Sequence, residues 1–174
     1  MNKIELKIVS EMDASFLHSV MNVNAILDAL NEVPTQLNDW NDAIKEWNAD
    51  DDEEDFIIKY DDTPVGWIGI NGLVSDNKTA YIKMIVILSD YHSKGIGYHA
   101  INQVIEMLKQ RNYSKIALYT DCDNFKARAC YGKCGFIVTK IFKDEMSNGK
   151  IVDRCKMEMN LYNNLDVGGE LLCG

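Results

Sequence analysis

Residues 92–98 carry the first candidate chemistry, since they join an apolar strand-like segment to a long helical one: His92, Ser93, Lys94, Gly95, Ile96, Gly97 and Tyr98. The N-terminus of a helix presents unpaired N–H groups and the positive end of its dipole, so it favours a bound phosphate. Glycines at 95 and 97 let the backbone approach phosphate oxygens, since a Cβ would hold the ligand away. The stretch therefore indicates a phosphate-binding turn, although glycines before a helix are also typical of a plain tight turn.

The same glycines fit a second interpretation, a dinucleotide-binding turn. Residues Gly95–Ala100 match the pattern G-x-G-x-x-A, and Asp121 ends the next strand-like segment, where it would bind a ribose. Two features disfavour this interpretation. In that pattern the first glycine follows its strand directly, whereas Ser89–Lys94 intervene here. The preceding segments also favour an antiparallel meander over repeated βαβ units.

Hydrophobic periodicity and turn residues place these stretches in a chain of strands and helices. Strands are predicted at Lys3–Val9, Phe56–Tyr60, Val65–Ile70, Ala80–Leu88, Lys115–Thr120, Phe136–Phe142 and Arg154–Leu161. Helices are predicted from an Asp13 N-cap to the break before Pro34, from a Thr35 N-cap to Trp47, over Gly95–Arg111 and over Asn124–Lys133. The order β-α-α-β-β-β-α-β-α-β-β predicts a mixed α/β (α+β) fold, with a central mixed sheet and helices on both faces.

Composition narrows the class of protein. The net charge of −9 and the pI near 4.8 disfavour a nucleic-acid partner, because phosphate backbones are bound by clustered Lys and Arg. No apolar run approaches the roughly 20 residues that span a bilayer, and residues 1–7 lack the apolar core of a signal peptide. We therefore expect a cytoplasmic protein without a membrane partner. One domain over residues 1–162 and a mobile tail over residues 163–174 are expected.

Neither the cysteines nor the acidic run indicates a metal. No CxxC pair and no neighbouring histidine accompanies the five cysteines, which we interpret as reduced thiols of apolar character: Cys122, Cys130, Cys134, Cys155 and Cys173. The six consecutive acids Asp50–Asp55 are typical of a solvated loop, with a cation-binding role as the alternative. No metal cofactor is expected.

A second motif brings in a family resemblance. Residues 124–136, Asn-Phe-Lys-Ala-Arg-Ala-Cys-Tyr-Gly-Lys-Cys-Gly-Phe, resemble the N-x-x-A-x-x-x-Y-x-x-x-G-F signature of the GNAT superfamily of N-acetyltransferases. The glycine turn resembles that family's R/Q-x-x-G-x-G/A motif, and the element order is similar from Lys3 to about Leu161. The resemblance implies a mostly antiparallel sheet of about seven strands flanked by four helices. It also implies acetyl-CoA as cosubstrate and an amine as acceptor.

The resemblance also implies a role for each motif residue. The backbone of Ile85, Val86 and Ile87 would leave its neighbouring strand and bind the acetyl carbonyl and the pantetheine arm. The amides from Ser93 to Tyr98 would bind the pyrophosphate, with His92 standing where the family usually has Arg or Gln. Asn124 would contact the pantetheine or order the loop beside it, and Ala127 completes the cofactor-binding set. Tyr131 would direct its hydroxyl at the sulfur.

The implied chemistry is direct attack of a neutral amine on the thioester carbon. Backbone N–H groups would stabilise the oxyanion of the tetrahedral intermediate, and the Tyr131 phenol would protonate the leaving thiolate as general acid. Relatives place a glutamate base at positions where this chain has Tyr119 or Lys83. Our hypothesis is that a water chain ending at Asp121 or Asp123 removes the amine proton.

The resemblance implies that the acceptor is a primary amine of a small molecule or peptide, and the acidic surface favours a cationic one. Trp40, Trp47, Trp67, Tyr81 and the acidic run could shape its pocket, although the tryptophans are also typical core residues. The missing glutamate and His92 leave a different class open, an acyl-CoA-binding module without turnover. A nicotinamide oxidoreductase is the third alternative. Homodimers are common in the family, so a homodimer is expected.

Overall fold

The computed structural model describes residues 3–162, which form one sheet with helices on both faces. The strands are β1 (Ile4–Ile8), β2 (Glu53–Tyr60), β3 (Thr63–Asn71), β4 (Thr79–Ile87), β5 (Lys115–Asp121), β6 (Ile137–Glu145) and β7 (Ile151–Asn160). The helices are α1 (Ala14–Met21), α2 (Asn24–Leu30), α3 (Leu37–Ala49), α4 (Ile96–Gln110) and α5 (Phe125–Lys133). The predicted tail 163–174, with Cys173, lies outside the described residues.

The sheet has the strand order β1-β2-β3-β4-β5-β7-β6. Only β4 and β5 pair in parallel, while the other five neighbouring pairs are antiparallel. The predicted mixed, mostly antiparallel sheet of seven strands is therefore confirmed. The dinucleotide alternative is wrong, because that fold repeats parallel βαβ units.

Residues 3–162 form five α-helices where the sequence predicts four, because the first predicted helix divides at Asn22. The Asn22 side chain accepts the Thr35 N–H at 2.9 Å and donates to the Thr35 hydroxyl at 3.0 Å. These bonds turn the chain between α1 and α2. Thr35 therefore bonds to Asn22 and is not the predicted N-cap of the next helix. Gln36 is the N-cap of α3.

Two cores cover the two faces of the sheet. On one face, α4 packs with β4 and β5 through residues such as Ile82, Val104 and Leu118. On the other face, α1 and α3 pack against β3 and β4 around Trp40 and Trp67. The two cores therefore cover β4 on both sides. Burial on both faces explains its near-continuous apolar sequence.

A bulge and a separation of strands shape the end of β4. Gly69 and Ile70 of β3 pair with Met84 and Ile82, so Lys83 is an extra residue on β4. The parallel ladder of β4 with β5 runs from Thr79–Lys115 to Ile82–Leu118. Beyond it β4 follows β3 and β5 follows β7, so the two strands separate and a cleft opens between them.

The acidic run is not the solvated loop that the sequence predicts. Its second half begins β2, and Asp55 is only 5% exposed. The Asp55 carboxylate accepts a hydrogen bond from the Trp67 indole at 2.8 Å and lies 2.9 Å from the Lys83 ammonium. Partners contributed by β3 and β4 therefore hold a carboxylate inside the fold.

No helix within residues 3–162 has the length and apolar character to cross a membrane.

Candidate active site

The cleft between β4 and β5 has a volume of about 200 Å³. Four residues of the predicted site lie along it: Ile85, Asn124, Ala127 and Tyr131. The predicted residues Val86 and Ile87 do not line it with their side chains, since Val86 packs into the tryptophan core and Ile87 packs against the α4 core. The strand separation thus brings β4, β5 and α5 around one opening.

The glycine turn, residues 92–98, leads into α4 as the sequence predicts. Ser93 and Gly95 have positive φ angles of 61° and 76°, which turn successive N–H groups to one side. Within residues 3–162, the backbone amides of Ser93 through Tyr98 donate no hydrogen bond. Six consecutive free donors at the N-terminus of a fifteen-residue helix are available to an anionic ligand.

Gly97 connects this turn with the cleft. A Cβ at Gly97 would lie 3.4 Å from the Ile87 side chain and 3.7 Å from the Cys130 sulfur. The turn therefore lies directly against the end of β4 and against α5, which carries Tyr131. One extended ligand with an anionic middle could occupy the turn and the cleft together.

His92 is tied to the protein backbone. Its Nε2 lies 2.7 Å from the carbonyl oxygen of Ile87, so the ring donates to the last residue of β4. This bond joins the start of the turn to the strand that borders the cleft. Beside it the Lys94 ammonium lies 4.8 Å above the centre of the Tyr91 ring, which fixes a positive charge at the turn.

Asn124 acts on its own helix. Its Oδ1 accepts the Ala127 N–H at 3.2 Å and caps α5. This cap satisfies one of the free donors at the helix start, and removing such a cap typically costs about 1 kcal/mol. Asn124 therefore fixes the helix that carries Tyr131.

Tyr131 is the phenol of the cleft. The residue is buried, and within residues 3–162 its hydroxyl has no hydrogen-bond partner. Burial, followed by the neighbouring Cys130 and Cys134, raises the pKa of Tyr131 well above its ordinary value of 10.0. The phenol stays protonated at neutral pH and can donate a proton.

Asp121 is the carboxylate of β5 at the same cleft. Its Oδ2 accepts from the Asn31 amide at 2.8 Å, and its Oδ1 lies 3.6 Å from Nε of Arg154. Burial raises the pKa of Asp121, while Arg154 acts in the opposite direction. Asp123, the other predicted base, is exposed and does not line the cleft.

Neither position where relatives place a glutamate carries an acid. The Lys83 ammonium is ion-paired with Glu53 and Asp55 and lies 4.2 Å above the Trp47 ring. Tyr119 is half-exposed and stacks on Tyr81. The Lys83 cluster was missed by sequence reasoning, because the acidic run carries no alternation that marks one member as buried.

A second, larger cavity adjoins the cleft and is lined by residues of the strands. This side cavity has a volume of about 710 Å³ and is lined by Asn71, Tyr81, Ile82, Lys83, Tyr119, Lys140, Phe142, Asp144 and Arg154. It shares Ile82, Lys83, Tyr119 and Arg154 with the cleft. Sequence reasoning named Tyr81 as a pocket residue but missed Lys140 and Phe142. The predicted strand indicates only that these two residues share one face of the sheet, and not that this face lines a cavity.

Comparison with known proteins identifies relatives. The family model described as acetyltransferase (GNAT) family matches residues 23–136, more than half of the chain. The N-alpha-acetyltransferase MAK3 of Arabidopsis thaliana is 29% identical over 77 residues, which cover 44% of this chain. That match spans only 40% of the length of the Arabidopsis protein.

Solved structures share the whole architecture. The spermidine N-acetyltransferase from Vibrio cholerae, solved with CoA and spermine, superposes with a TM-score of 0.82 at 22% identity, covering 91% of this chain and 95% of that one. The microcin C7 self-immunity acetyltransferase MccE, solved with acetyl-CoA and AMP, gives a TM-score of 0.79 at 24% identity, over 91% of this chain and 92% of that one. At these identities the likeness establishes the fold.

Proposed function

The chain belongs to the acetyltransferase (GNAT) family, and from its cleft we propose that it transfers the acetyl group of acetyl-CoA to the primary amine of a small molecule or peptide. The observation that carries this proposal is the continuity of the glycine turn with the cleft. Six free amides, the strand end of β4 and the Tyr131 phenol lie along one path. That path has the chemistry of a pyrophosphate, a pantetheine arm and a thioester in sequence.

The turn and the strand end hold the cosubstrate. The amides of residues 93–98 bind the pyrophosphate, with Lys94 adding a positive charge nearby. The β4 residues Ile85–Ile87 offer backbone groups to the pantetheine and the acetyl carbonyl. Asn124 and Ala127 fix the start of α5 beside the cleft.

The transfer step needs one group that donates a proton and one group that accepts a proton. A neutral amine attacks the thioester carbon, and a backbone N–H at the end of β4 stabilises the oxyanion. The C–S bond breaks as the intermediate collapses, and Tyr131, a phenol that is protonated at neutral pH, donates its proton to the leaving sulfur. The excess proton on the attacking nitrogen then passes to the phenolate and restores Tyr131. The arriving ammonium loses its proton to Asp121, directly or through water, since Asp121 borders the cleft and burial raises its pKa.

The acceptor side supports an amine. Glu32 and Asp121 line the cleft, and Glu32 has no ion pair within residues 3–162. Two carboxylates at the opening attract a protonated amine before it is deprotonated. We also propose that the reaction takes place in the cytoplasm, as the sequence leads us to expect. The expected homodimer stays a prediction, which sedimentation of the purified protein would check.

The test begins with calorimetric titration of acetyl-CoA into the purified protein, with NADH as the control ligand. Micromolar binding of acetyl-CoA alone supports the proposal, and binding of NADH alone overturns it. Tyr131→Phe then separates an enzyme from a binding module. An enzyme should lose kcat about a hundredfold with unchanged acetyl-CoA affinity. Tight binding without thiol release for any amine in a broad library would instead assign a module without turnover.

A further inference from the structure

The far wall of the side cavity, away from the cleft, carries positive charge. We propose that this wall binds an oxyanion of the acceptor, so that the acceptor is an amine with a carboxylate or phosphate at its other end. The inference rests on the proposed function, because it assigns the acceptor of the same site. It separates this chain from an enzyme for purely cationic polyamines.

The register of the sheet places two lysines side by side. Lys140 of β6 is paired directly with Lys156 of β7, which in turn is paired with Tyr119 of β5. Directly opposed residues share a face of the sheet, and like charges in such positions are destabilising. The Lys140 ammonium lies 5.5 Å from the Phe142 ring centre, and that of Lys156 lies 5.8 Å from the Tyr81 ring centre. Both lysines therefore lie against aromatic rings of the side cavity.

The local charge is not balanced by the protein. Within residues 3–162 Lys140 has no carboxylate partner. Lys156 pairs with Glu158 at 2.8 Å, and Lys115 shares the same carboxylate at 3.7 Å. Two ammonium groups thus share one carboxylate and the third, that of Lys140, has none, in a chain whose net charge is −9. An oxyanion from a ligand would compensate this excess.

The opposite sign prevails at the cleft end. Arg154 is shared by Asp121 and Asp144, at 3.6 Å from each, which leaves one negative charge in excess. Glu32 adds another carboxylate at the cleft. The joined cavities are therefore negative where the amine must react and positive at the far wall. This polarity matches an acceptor with an ammonium at one end and an oxyanion at the other.

The spacing of the two ends sets the length of the acceptor. Asp121 pairs with Arg154 across the sheet, and Tyr119 pairs with Lys156 in the row that holds the two lysines. Asp121 and Tyr119 are two residues apart on β5, so these two rows are separated by about 7 Å along the strands. An α-amino acid has its amine and carboxylate within one residue, about 3.5 Å. A short peptide or an ω-amino acid fits the separation, and an α-amino acid is too short.

The middle of the side cavity suits an apolar linker. Tyr81 and Tyr119 stack in parallel at 6.3 Å, and Tyr119 meets Phe142 edge-on at 5.8 Å. The Tyr119–Phe142 contact spans the two charged rows, because Tyr119 pairs with Lys156 and Phe142 pairs with Arg154. It therefore offers apolar ring surface between the two ends. The acceptor is accordingly an amine and an oxyanion joined by methylene or peptide units.

The experiment compares acceptors of one length that differ at the far end. The probes are ε-aminocaproate, its uncharged amide, hexamethylenediamine and an aminoalkyl phosphate of equal length. Acetylation of ε-aminocaproate should have a kcat/KM at least about tenfold above that of the amide and the diamine. The aminoalkyl phosphate distinguishes a carboxylate from a phosphate as the preferred oxyanion. Equal rates for acid and amide, or preference for the diamine, would overturn the inference.

Two variants identify the wall. Lys140→Glu should abolish the preference for the acid and improve the diamine, with acetyl-CoA binding unchanged. Lys143→Glu is the matched control, because Lys143 is exposed on the same strand and pairs with Asp153 on the other face of the sheet. An unchanged order of acceptors in Lys140→Glu would contradict the assignment.

A binding measurement separates this inference from the proposed function. Titration of each probe into the protein–CoA complex compares the far ends without any turnover. Tighter binding of the acid without acetylation would count against the proposed function and leave the inference intact. Equal binding of acid and amide would overturn the inference, whatever the rates show.

Discussion

The Lys83 ammonium lies 2.9 Å from the buried carboxylate of Asp55, at the bulge that precedes the separation of β4 from β5. The ion pair occupies the space that a side chain at Gly69 would fill. A Cβ there would lie 2.3 Å from Oδ1 of Asp55 and 2.5 Å from Cε of Lys83. The pair and the glycine therefore depend on each other.

Gly69→Ala should lower the free energy of unfolding by about 2 kcal/mol, because the added methyl displaces a buried, hydrogen-bonded pair. Urea denaturation followed by tryptophan fluorescence measures the change, since Trp47 and Trp67 surround Lys83. Gly132→Ala on α5 is the control, as no atom lies within 4 Å of the new methyl. That helical substitution should instead stabilise by up to about 1 kcal/mol. Equal effects of the two substitutions would show that the pair does not need the space.

Asp55→Asn should become relatively more stable as the pH rises. Burial raises the folded-state pKa of Asp55 above its ordinary 3.8, against the opposing effect of Lys83. A raised folded pKa means that the stabilising contribution is fully present below 3.8 and is lost as the pH rises through the folded value. Denaturation of both proteins at several pH values from acid to neutral gives the difference. A difference that moves toward the wild type with rising pH would contradict the burial effect.

Gly95→Ala should weaken acetyl-CoA binding about tenfold, since alanine disfavours the left-handed backbone at φ 76° that aims the turn amides. Calorimetric titration measures the affinity. Gly149→Ala is matched in backbone strain, with φ 78° and open space around it, but lies in the β6–β7 hairpin. It should cost similar stability and leave the acetyl-CoA affinity intact. Equal losses of affinity in both variants would assign the effect to general destabilisation.

Asp121→Asn should lower kcat/KM about a hundredfold and remove one inflection from the acid limb of its pH profile. The wild-type rate falls as the pH drops through the raised pKa of Asp121, because the protonated carboxyl cannot accept the amine proton. Asp123→Asn, at an exposed position, should retain the wild-type profile. Thermal melting of both variants checks that the Asn31 and Arg154 contacts are retained. An Asp121→Asn profile that matches the wild type would remove Asp121 from the proton path.

Much of the site was predictable because its signals are local. The glycine turn is coded by two glycines before an amphipathic helix, and α5 by an asparagine cap seven residues before Tyr131. Each signal lies within one contiguous stretch, so spacing along the chain is also spacing in space. The order of strands and helices along the chain followed from the periodicity of the segments.

What the sequence did not predict depends on partners far along the chain. Asp55 lies in a uniform acidic run, and only Lys83 and Trp67 make its burial favourable. The division between α1 and α2 depends on the bonds of Asn22 with Thr35. The lysine pair depends on a register shift in β6 between Val138 and Lys140, which no single strand reveals.

The short parallel ladder between β4 and β5 makes the sheet two antiparallel blocks, β1–β4 and β5–β7–β6, joined by four residue pairs. A seam of this length is the place where the fold should open first, ahead of either block. Amide hydrogen exchange would then be faster at Ile82 and Leu118 than in the middle of β3. A cosubstrate that contacts both sides of the seam would stabilise the pairing of β4 with β5 and slow that exchange. The cooperativity of unfolding of the whole sheet would then rise with the occupancy of the cosubstrate site.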